Sequence, residues 1–548
     1  MNIAEQFLKT VAKNPHRVAV IDQRPKTFPS FFTGQSDRGE RTFFELTQRM
    51  QTFLNVFQKW HFSRDEKVVV FVRPGLDFAP LLFSLYSFGL IPVFIDPGMG
   101  LDKMKKCLQK ISPQILIGET SAVLWAKVQA SKKTDGFLHL RAFITLKKLK
   151  KYADQEKRTL TPQDLVAWSE RTVVQKDPKD LAAILFTSGG TGTPKGVCYS
   201  HQLFLTQVER LNALFSLGAG DKDLAGFPLF GLFTLCMGAT TLVADLDITK
   251  LSQCDPRKLI HQLQTLAPTS LTGSPTIWTR LASFALEKKQ TFPTVKTMNL
   301  FGAPIRWQTL VLLKQVFPEA KIFTPYGATE ALPVCLISDQ EILSETSIQT
   351  KQGLGVCVGQ PVSGVEVLIL DDTDIPISLP IGKIGEIAVR GSTVSLGYYR
   401  DEKAQKQARL ETQEGEIHRM GDMGYRDEKG RIWFLGRKAH RVPLQSKTLY
   451  PLNIEPLLHE IQGVQKAALV SYQEAAAVVI ECQSHKVFMD LLPAIQKKLS
   501  PYTSTLKGVL FHEKFPVDVR HHIKIDRLAL GTWAQTKRVY PLKIGAEI

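Results

Sequence analysis

The chain has no CxxC pair. Its seven cysteines, Cys107, Cys198, Cys236, Cys254, Cys335, Cys357 and Cys482, are odd in number and widely spaced. That argues against a disulfide framework or a zinc cluster and predicts a reducing compartment. No strict internal repeat or low-complexity tract is present. The opening stretch MNIAEQFLKTVAKNPHRVAVID is amphipathic and lacks the unbroken apolar core of a signal peptide, so a cytoplasmic protein is expected. The one long apolar run, FAPLLFSLYSFGLIPVFI from Phe78 to Ile95, approaches membrane-spanning length. Gly89 and Pro92 punctuate it, and the strand-like KVVVFV precedes it. A buried helix ending at Gly89 and then a buried strand is the better reading. Acidic residues are also scarce: 52 Asp and Glu face 69 Lys and Arg, a net charge of +17. Such a balance favours nucleotides, phosphates, acidic membrane surfaces or nucleic acid as partners, with a basic solubilising surface as the bland alternative.

What is present is a long alternation of strand and helix patterns. Thr42 with Glu45 three residues on reads as the capping box of a helix reaching Trp60. Strands are expected at 67–72, 91–95 and 114–118, with helices at 76–88 and 101–110. This order predicts a parallel sheet covered on both faces. The basic stretch 146–158 reads as a solvated loop or short helix, or as a membrane-surface or nucleic-acid patch. Tyr152 is its one aromatic, which argues against nucleic acid. Segments KIFTPYGATE and VKTMNLFGAPI each read as a strand and a tight loop. From about residue 353 short strands and turns dominate, and near 438 a further β/α section begins.

The segment ILFTSGGTGTPKGVCYSH, Ile184 to His201, concentrates glycines, hydroxyls and a lysine. A Walker A loop needs glycine before its lysine and Ser or Thr after it. Here Pro194 precedes Lys195 and Gly196 follows, and G-x-G-x-x-G spacing from Gly189 also fails. The ingredients of an anion cradle remain: close-approaching backbone, hydroxyl donors and a point charge. Phosphate loop and ordinary flexible turn both fit this composition.

Four ordered segments resemble the adenylate-forming superfamily of acyl-CoA synthetases, luciferases and peptide-synthetase adenylation domains. They are FTSGGTGTPKG, TPYGATE (324–330), HRMGDMGYRDEKGRIWFLGRKAHRV (418–442) and KIDRLAL (524–530). The resemblance implies an α/β fold. A large amino-terminal domain, residues 1–436, would hold layered mixed sheets, helices and a small β-barrel-like part. A small mobile α+β domain, residues 437–548, would follow. It implies ATP and Mg²⁺, with a carboxylate attacking the α-phosphate and pyrophosphate leaving. Thr187, Ser188, Gly189, Thr191, Gly192 and Lys195 would wrap the outer phosphates. Tyr326 and Gly327 would meet adenine, with Gly302, Ala303 and Pro304 as the opposite wall. Thr329 would touch the α-phosphate, Glu330 would hold Mg²⁺, and Asp422 and Arg437 would hold the ribose. Lys524 would bridge the carboxylate and α-phosphate. Taken alone, Asp422 reads as a turn residue, Glu330 as a helix cap and Lys524 as one surface lysine among many. His201 and the cysteines read as structural.

The pattern is broken at four places. Gly190 stands where a hydroxyl residue is usual. FPLFGLF (227–233) lacks the usual following His. Ile523 replaces the glycine before Lys524. No glycine occurs between Gly436 and Gly463, where thioester-forming members carry several. With DPGMG, GVCVGQPV and FPVDVRHHIKI, these features resemble the olefin-biosynthesis β-lactone synthetases. That resemblance implies a long-chain β-hydroxy acid activated as acyl-AMP and closed by its own hydroxyl to a β-lactone. The implied partners are condensing, reducing and decarboxylating enzymes of olefin biosynthesis. Peripheral membrane association is compatible with the basic charge; nucleic acid is not an expected partner. A long-chain fatty acyl-CoA ligase using CoA, a fatty acyl-AMP ligase and a degenerate nonenzymatic adenylate-binding protein are the alternatives. An acyl tunnel is expected, while Phe230, Phe233 and Trp278 read equally as plain core.

Overall fold

The computed structural model describes residues 1–24, 39–132, 134–157, 159–187, 193–373, 377–445, 447–517 and 525–542, with the side chains of Pro97 and Thr187 outside that description. Among these residues, one six-stranded sheet runs in the order Ala142–Thr145, Ile115–Gly118, Lys67–Phe71, Ile91–Ile95, Leu181–Thr187, Lys195–Ser200. All its pairs are parallel except the last, a hairpin that carries the glycine loop. Its strands are Val- and Ile-rich and buried on both faces, as a covered parallel sheet requires. The apolar run resolves as helix Phe78–Phe88, a left-handed Gly89 with φ of 83°, and strand Ile91–Ile95. Gly89 takes that turn because it has no Cβ to clash. Among the described residues no helix is long and apolar enough to cross a membrane.

Helix Phe43–Lys59 begins at the expected capping box: Glu45 N donates to Thr42 Oγ1 (3.2 Å) and Thr42 N donates to Glu45 Oε2 (2.7 Å). The basic stretch forms helix Leu146–Asp154, whose Leu149 and Ala153 are buried while Lys147, Lys148 and Lys151 face out.

A second, larger sheet connects the rest of the amino-terminal body. Its central strands Thr240–Val243, Lys222–Ala225, Ser270–Gly273, Thr297–Leu300 and Lys321–Ala328 are parallel. Strands Ala331–Ser338 and Val356–Pro361 then lead antiparallel into the barrel-like part, Ile432–Arg437, Gly415–Arg426, Gly385–Gly391 and Val365–Leu370. This continuity brings the TPYGATE and MGDMG segments to one place.

A separate sheet of Lys466–Tyr472, Ala475–Glu481, Leu506–His512 and Tyr540–Pro541 carries helices Pro451–Leu458, His485–Leu499 and Arg527–Ala534 on its own core. It is the small α+β unit anticipated at the carboxy-terminal end. It touches the large body where Trp307 Nε1 and Gln308 Nε2 both donate to Glu460 Oε1 (3.1 Å each) and Lys351 Nζ lies 3.8 Å from the Trp307 ring centroid.

Candidate active site

The TPYGATE segment is the strand and tight loop expected of it, and the loop turns the chain straight back into a second strand. Strand Lys321–Ala328 runs through most of it, Thr329 and Glu330 make the turn, and Ala331–Ser338 returns. Glu330 therefore caps no helix. The register shifts between Tyr326 and Ala328, at Gly327. A Cβ on Gly327 would sit 2.5 Å from the Ala331 carbonyl, so only glycine fits there. The turn is pinned on several sides. Tyr199 Oη donates to the Thr329 carbonyl (2.8 Å), Ser395 N to the Glu330 carbonyl (2.8 Å), and Tyr398 Oη to Glu330 Oε1 (2.8 Å).

Asp422 is not a turn residue either. It lies within strand Gly415–Arg426, is 4% exposed, and pairs in register with Arg437. Tyr326 Oη donates to its Oδ2 (2.6 Å). Arg437 Nη1 stands 3.1 Å from Oδ1 and donates to the Met420 carbonyl (3.1 Å). The two are ion-paired, and Oδ1 is buried without a hydrogen-bond partner. Burial pushes the Asp422 carboxyl above its ordinary range, and the Arg437 charge and the Tyr326 hydrogen bond oppose that rise. Burial and the Asp422 charge together push the Tyr326 phenol well up, so it stays a donor. Arg437 is held charged by Asp422. An ionisable acceptor with a vacant lone pair, between a phenol and a guanidinium, suits a sugar hydroxyl.

Tyr326, Gly327, Thr329, Glu330, Asp422 and Arg437 line one cavity of about 1890 Å³ together with Lys195, Gly302, Ala303 and Pro304. Lys195 pairs with Thr187 across the mouth of the glycine-loop hairpin and lies 4.9 Å from the Tyr398 ring centroid. Ser188, Gly189, Thr191 and Gly192, with Gly190, lie outside the described residues, as do Ile523 and Lys524. The residues that bracket the Lys524 segment, Val517 and Ile525, form a β-bridge and both line the cavity. Glu330 is the carboxylate that could meet a metal, and no cluster of three or more potential ligands exists among the described residues. One carboxylate fits Mg²⁺ that arrives on polyphosphate rather than a resident ion.

Part of the cavity lining is apolar: Phe204, Leu211, Phe215, Phe230, Phe233 and Phe301 line it, with Phe204 and Phe233 stacked at 4.6 Å. Phe230 and Phe233 thus serve both core and cavity, while Trp278 is fully buried in the core. His201 is structural: its Nδ1 accepts from Ile3 N (3.2 Å), and burial drives its pKa down to about 4. All seven cysteines are free, buried or half-buried, with thiols raised by burial. Tyr199, Gln207 and Tyr398 were not anticipated. The Tyr-Tyr in LGYYR hints at Tyr398 only once Glu330 is known to face it.

The AMP-binding enzyme family matches residues 7–399. The olefin beta-lactone synthetase of Stenotrophomonas maltophilia (strain K279a) is 35% identical over 501 residues, covering 87% of this chain and 88% of that protein. Its namesake in Xanthomonas campestris pv. campestris is 35% identical over 505 residues with the same coverage. ATP-bound MatB from Rhodopseudomonas palustris superposes with a TM-score of 0.78 at 20% identity, over 98% of this chain and 99% of that one. A long-chain-fatty-acid-CoA ligase (FadD1) from Archaeoglobus fulgidus gives 0.66 at 18% identity, over 93% and 97%. At these identities the structures speak to the fold. With the motifs assembled around a single cavity and the family matched over most of its length, the chain belongs to the AMP-binding enzymes and is an AMP-forming ligase.

Proposed function

We propose that the enzyme activates a long-chain β-hydroxy fatty acid with ATP and closes the resulting acyl-AMP to a β-lactone, releasing pyrophosphate and AMP. The observation that carries the nucleotide half is Asp422 Oδ1, a buried acceptor ion-paired with Arg437 but without a hydrogen bond, beside Tyr326. The cluster of aromatic and leucine side chains lining the same cavity supports a long acyl chain. The extent of identity to two olefin beta-lactone synthetases supports the choice of product.

In this reading Asp422 and Arg437 hold the ribose and Tyr326 faces adenine across from Gly302, Ala303 and Pro304. Thr187, Ser188, Thr191 and Lys195, with Gly189 and Gly192, hold the leaving phosphates. Thr329 meets the α-phosphate, and Glu330 holds Mg²⁺, which supplies charge neutralisation on the polyphosphate. Residues 1–436 bind both substrates and residues 437–548 deliver Lys524. A carboxylate oxygen attacks the α-phosphorus, the bond to the bridging oxygen breaks, and pyrophosphate leaves. Lys524 neutralises the two anions as they meet. The β-hydroxyl oxygen then attacks the acyl carbon, the acyl–phosphate bond breaks, AMP leaves with the electron pair, and the hydroxyl proton is released. The nucleophile is already tethered, so orientation alone supplies its effective concentration.

The test is the purified protein with ATP, Mg²⁺ and a long-chain 3-hydroxy acid, followed by proton NMR with and without CoA. A β-lactone formed equally in both is expected. Acyl-CoA appearing only when CoA is added would establish the ligase alternative. No acid-dependent pyrophosphate release would establish a nonenzymatic adenylate binder.

A further inference from the structure

Helix His201–Phe215 turns one face to the cavity: Phe204, Gln207, Leu211 and Phe215 line it, at the spacing of a single helical stripe. Gln207 is the polar exception. It is 3% exposed. Its Nε2 donates to the Leu332 carbonyl (2.8 Å). A carbonyl only accepts, so this bond fixes which end of the amide is nitrogen. The other end, Oε1, is buried and has no hydrogen-bond partner. Gln207 also hydrogen-bonds Tyr199 in the sense that lowers the phenol's pKa, so the amide nitrogen is the donor, and Tyr199 Oη gives its own hydrogen to the Thr329 carbonyl. Tyr199 therefore does not supply the donor that Oε1 lacks. Gln207 is tied to Leu332, next in the chain but one after Glu330, so this polar island adjoins the turn where the acyl carboxyl is activated.

A buried amide oxygen without a donor costs free energy, and a methylene packed against it leaves that cost in place. A ligand hydroxyl removes it. We propose that Gln207 Oε1 accepts the hydroxyl hydrogen of the bound acid, so that Gln207 selects hydroxylated acyl chains and holds the hydroxyl beside the activated carboxyl. The inference rests on the reading that the cavity takes a fatty acid. A neutral amide takes no proton, so Gln207 orients rather than deprotonates. With the O–H directed at Oε1, the oxygen lone pairs stay free to approach the acyl carbon.

The experiment compares a long-chain 3-hydroxy acid with the plain acid of equal carbon number, reading kcat/KM by acid-dependent ATP–pyrophosphate exchange and product by proton NMR. The wild-type protein is expected to favour the hydroxy acid by about tenfold or more, because the plain acid leaves the acceptor unpaired. Gln207→Leu frees the Leu332 carbonyl for both acids alike and should raise KM for the hydroxy acid about tenfold more than for the plain acid, erasing the preference. Gln207→Met, unbranched and close in volume, repeats the test should the leucine variant fail to fold. Equal use of both acids by the wild type overturns the subsite, as does an equal loss on both acids in the variants. Acyl-CoA in place of lactone, with a hydroxyl preference that still depends on Gln207, defeats the product assignment and supports the subsite. Lactone from both proteins at an unchanged ratio does the reverse.

Discussion

Asp422 sets the most exacting demand on a single residue. It is buried, its carboxyl is raised by that burial, and the Tyr326 phenol and Arg437 guanidinium are what keep it ionisable. Tyr326→Phe removes a hydrogen bond that lowers the Asp422 pKa. The ionised form needed to accept from a sugar is then lost at higher pH. The acid limb of the kcat/KM profile for ATP should move up in Tyr326→Phe, and an unmoved limb would show that Asp422 does not govern nucleotide binding. Asp422→Ala should raise KM for ATP by tenfold or more, since hydrogen bonds to a charged group contribute about 1.5–3 kcal/mol each. Isothermal titration with ATP checks that the loss lies in binding rather than in turnover.

At the scale of elements, the hairpin around Gly327 and the first helix are the sensitive joints. Gly327→Ala would place a methyl 2.5 Å from the Ala331 carbonyl, so the hairpin must open and carry Tyr326 and Thr329 out of place. Activity should fall more than tenfold and the melting temperature should drop, the latter by calorimetry. Helix Ile3–Lys13 is fixed by Asn2, whose Nδ2 donates to the Tyr86 (2.8 Å) and Val174 (3.0 Å) carbonyls, and by Ile3 N donating to neutral His201. His201 has a folded pKa of about 4 against an ordinary 6.5. Between those values the unfolded chain binds the extra proton, so stability rises with pH across the window and is lost on acidification. His201→Gln should flatten that fall by up to about 3 kcal/mol, measured by urea unfolding at pH 6.5 and 4.5. Much of the element order was legible because Val- and Ile-rich strands, Gly89 and the Thr42–Glu45 box are local signals. The strand and tight turn of KIFTPYGATE were legible too, but the returning strand Ala331–Ser338 was not, because ATEAL carries helix-forming residues and its pairing with Lys321–Ala328 is set by tertiary context. Gly421, with φ of 66°, and the shifted register at Met423 give MGDMG the look of a turn inside a strand. Tyr398 and Gln207 meet the site across 68 and 125 residues of chain, a separation no local pattern encodes.

At the scale of the whole molecule, the question is how the two bodies stay together. Trp307 and Gln308 donate to Glu460, Arg306 Nη2 donates to the Gln465 carbonyl (3.3 Å), Asn453 Nδ2 donates to the Gly353 carbonyl (2.7 Å) and Pro451 packs beside Gly436, so the small body is held at several points. Contacts of this kind stabilise by about 1 kcal/mol each. On the proposed role of Lys524, Glu460→Ala should lower kcat several-fold with ATP affinity unchanged, by loosening the small body that carries it. On the same proposal Lys524→Ala should lower kcat a hundredfold or more and also leave ATP affinity intact, since a charge acting as the anions meet is felt in turnover rather than binding. Retained turnover in Lys524→Ala would remove that lysine from the mechanism. The buried, high-pKa thiols have a practical consequence for following this docking. Cys198 is the only half-buried one and its pKa is pushed up to about 11, so none of the seven offers an accessible thiolate near neutral pH. A maleimide dye will therefore discriminate in favour of cysteines introduced on the surface. A donor–acceptor pair placed on the two bodies can report their separation by energy transfer during turnover, without first stripping the native cysteines.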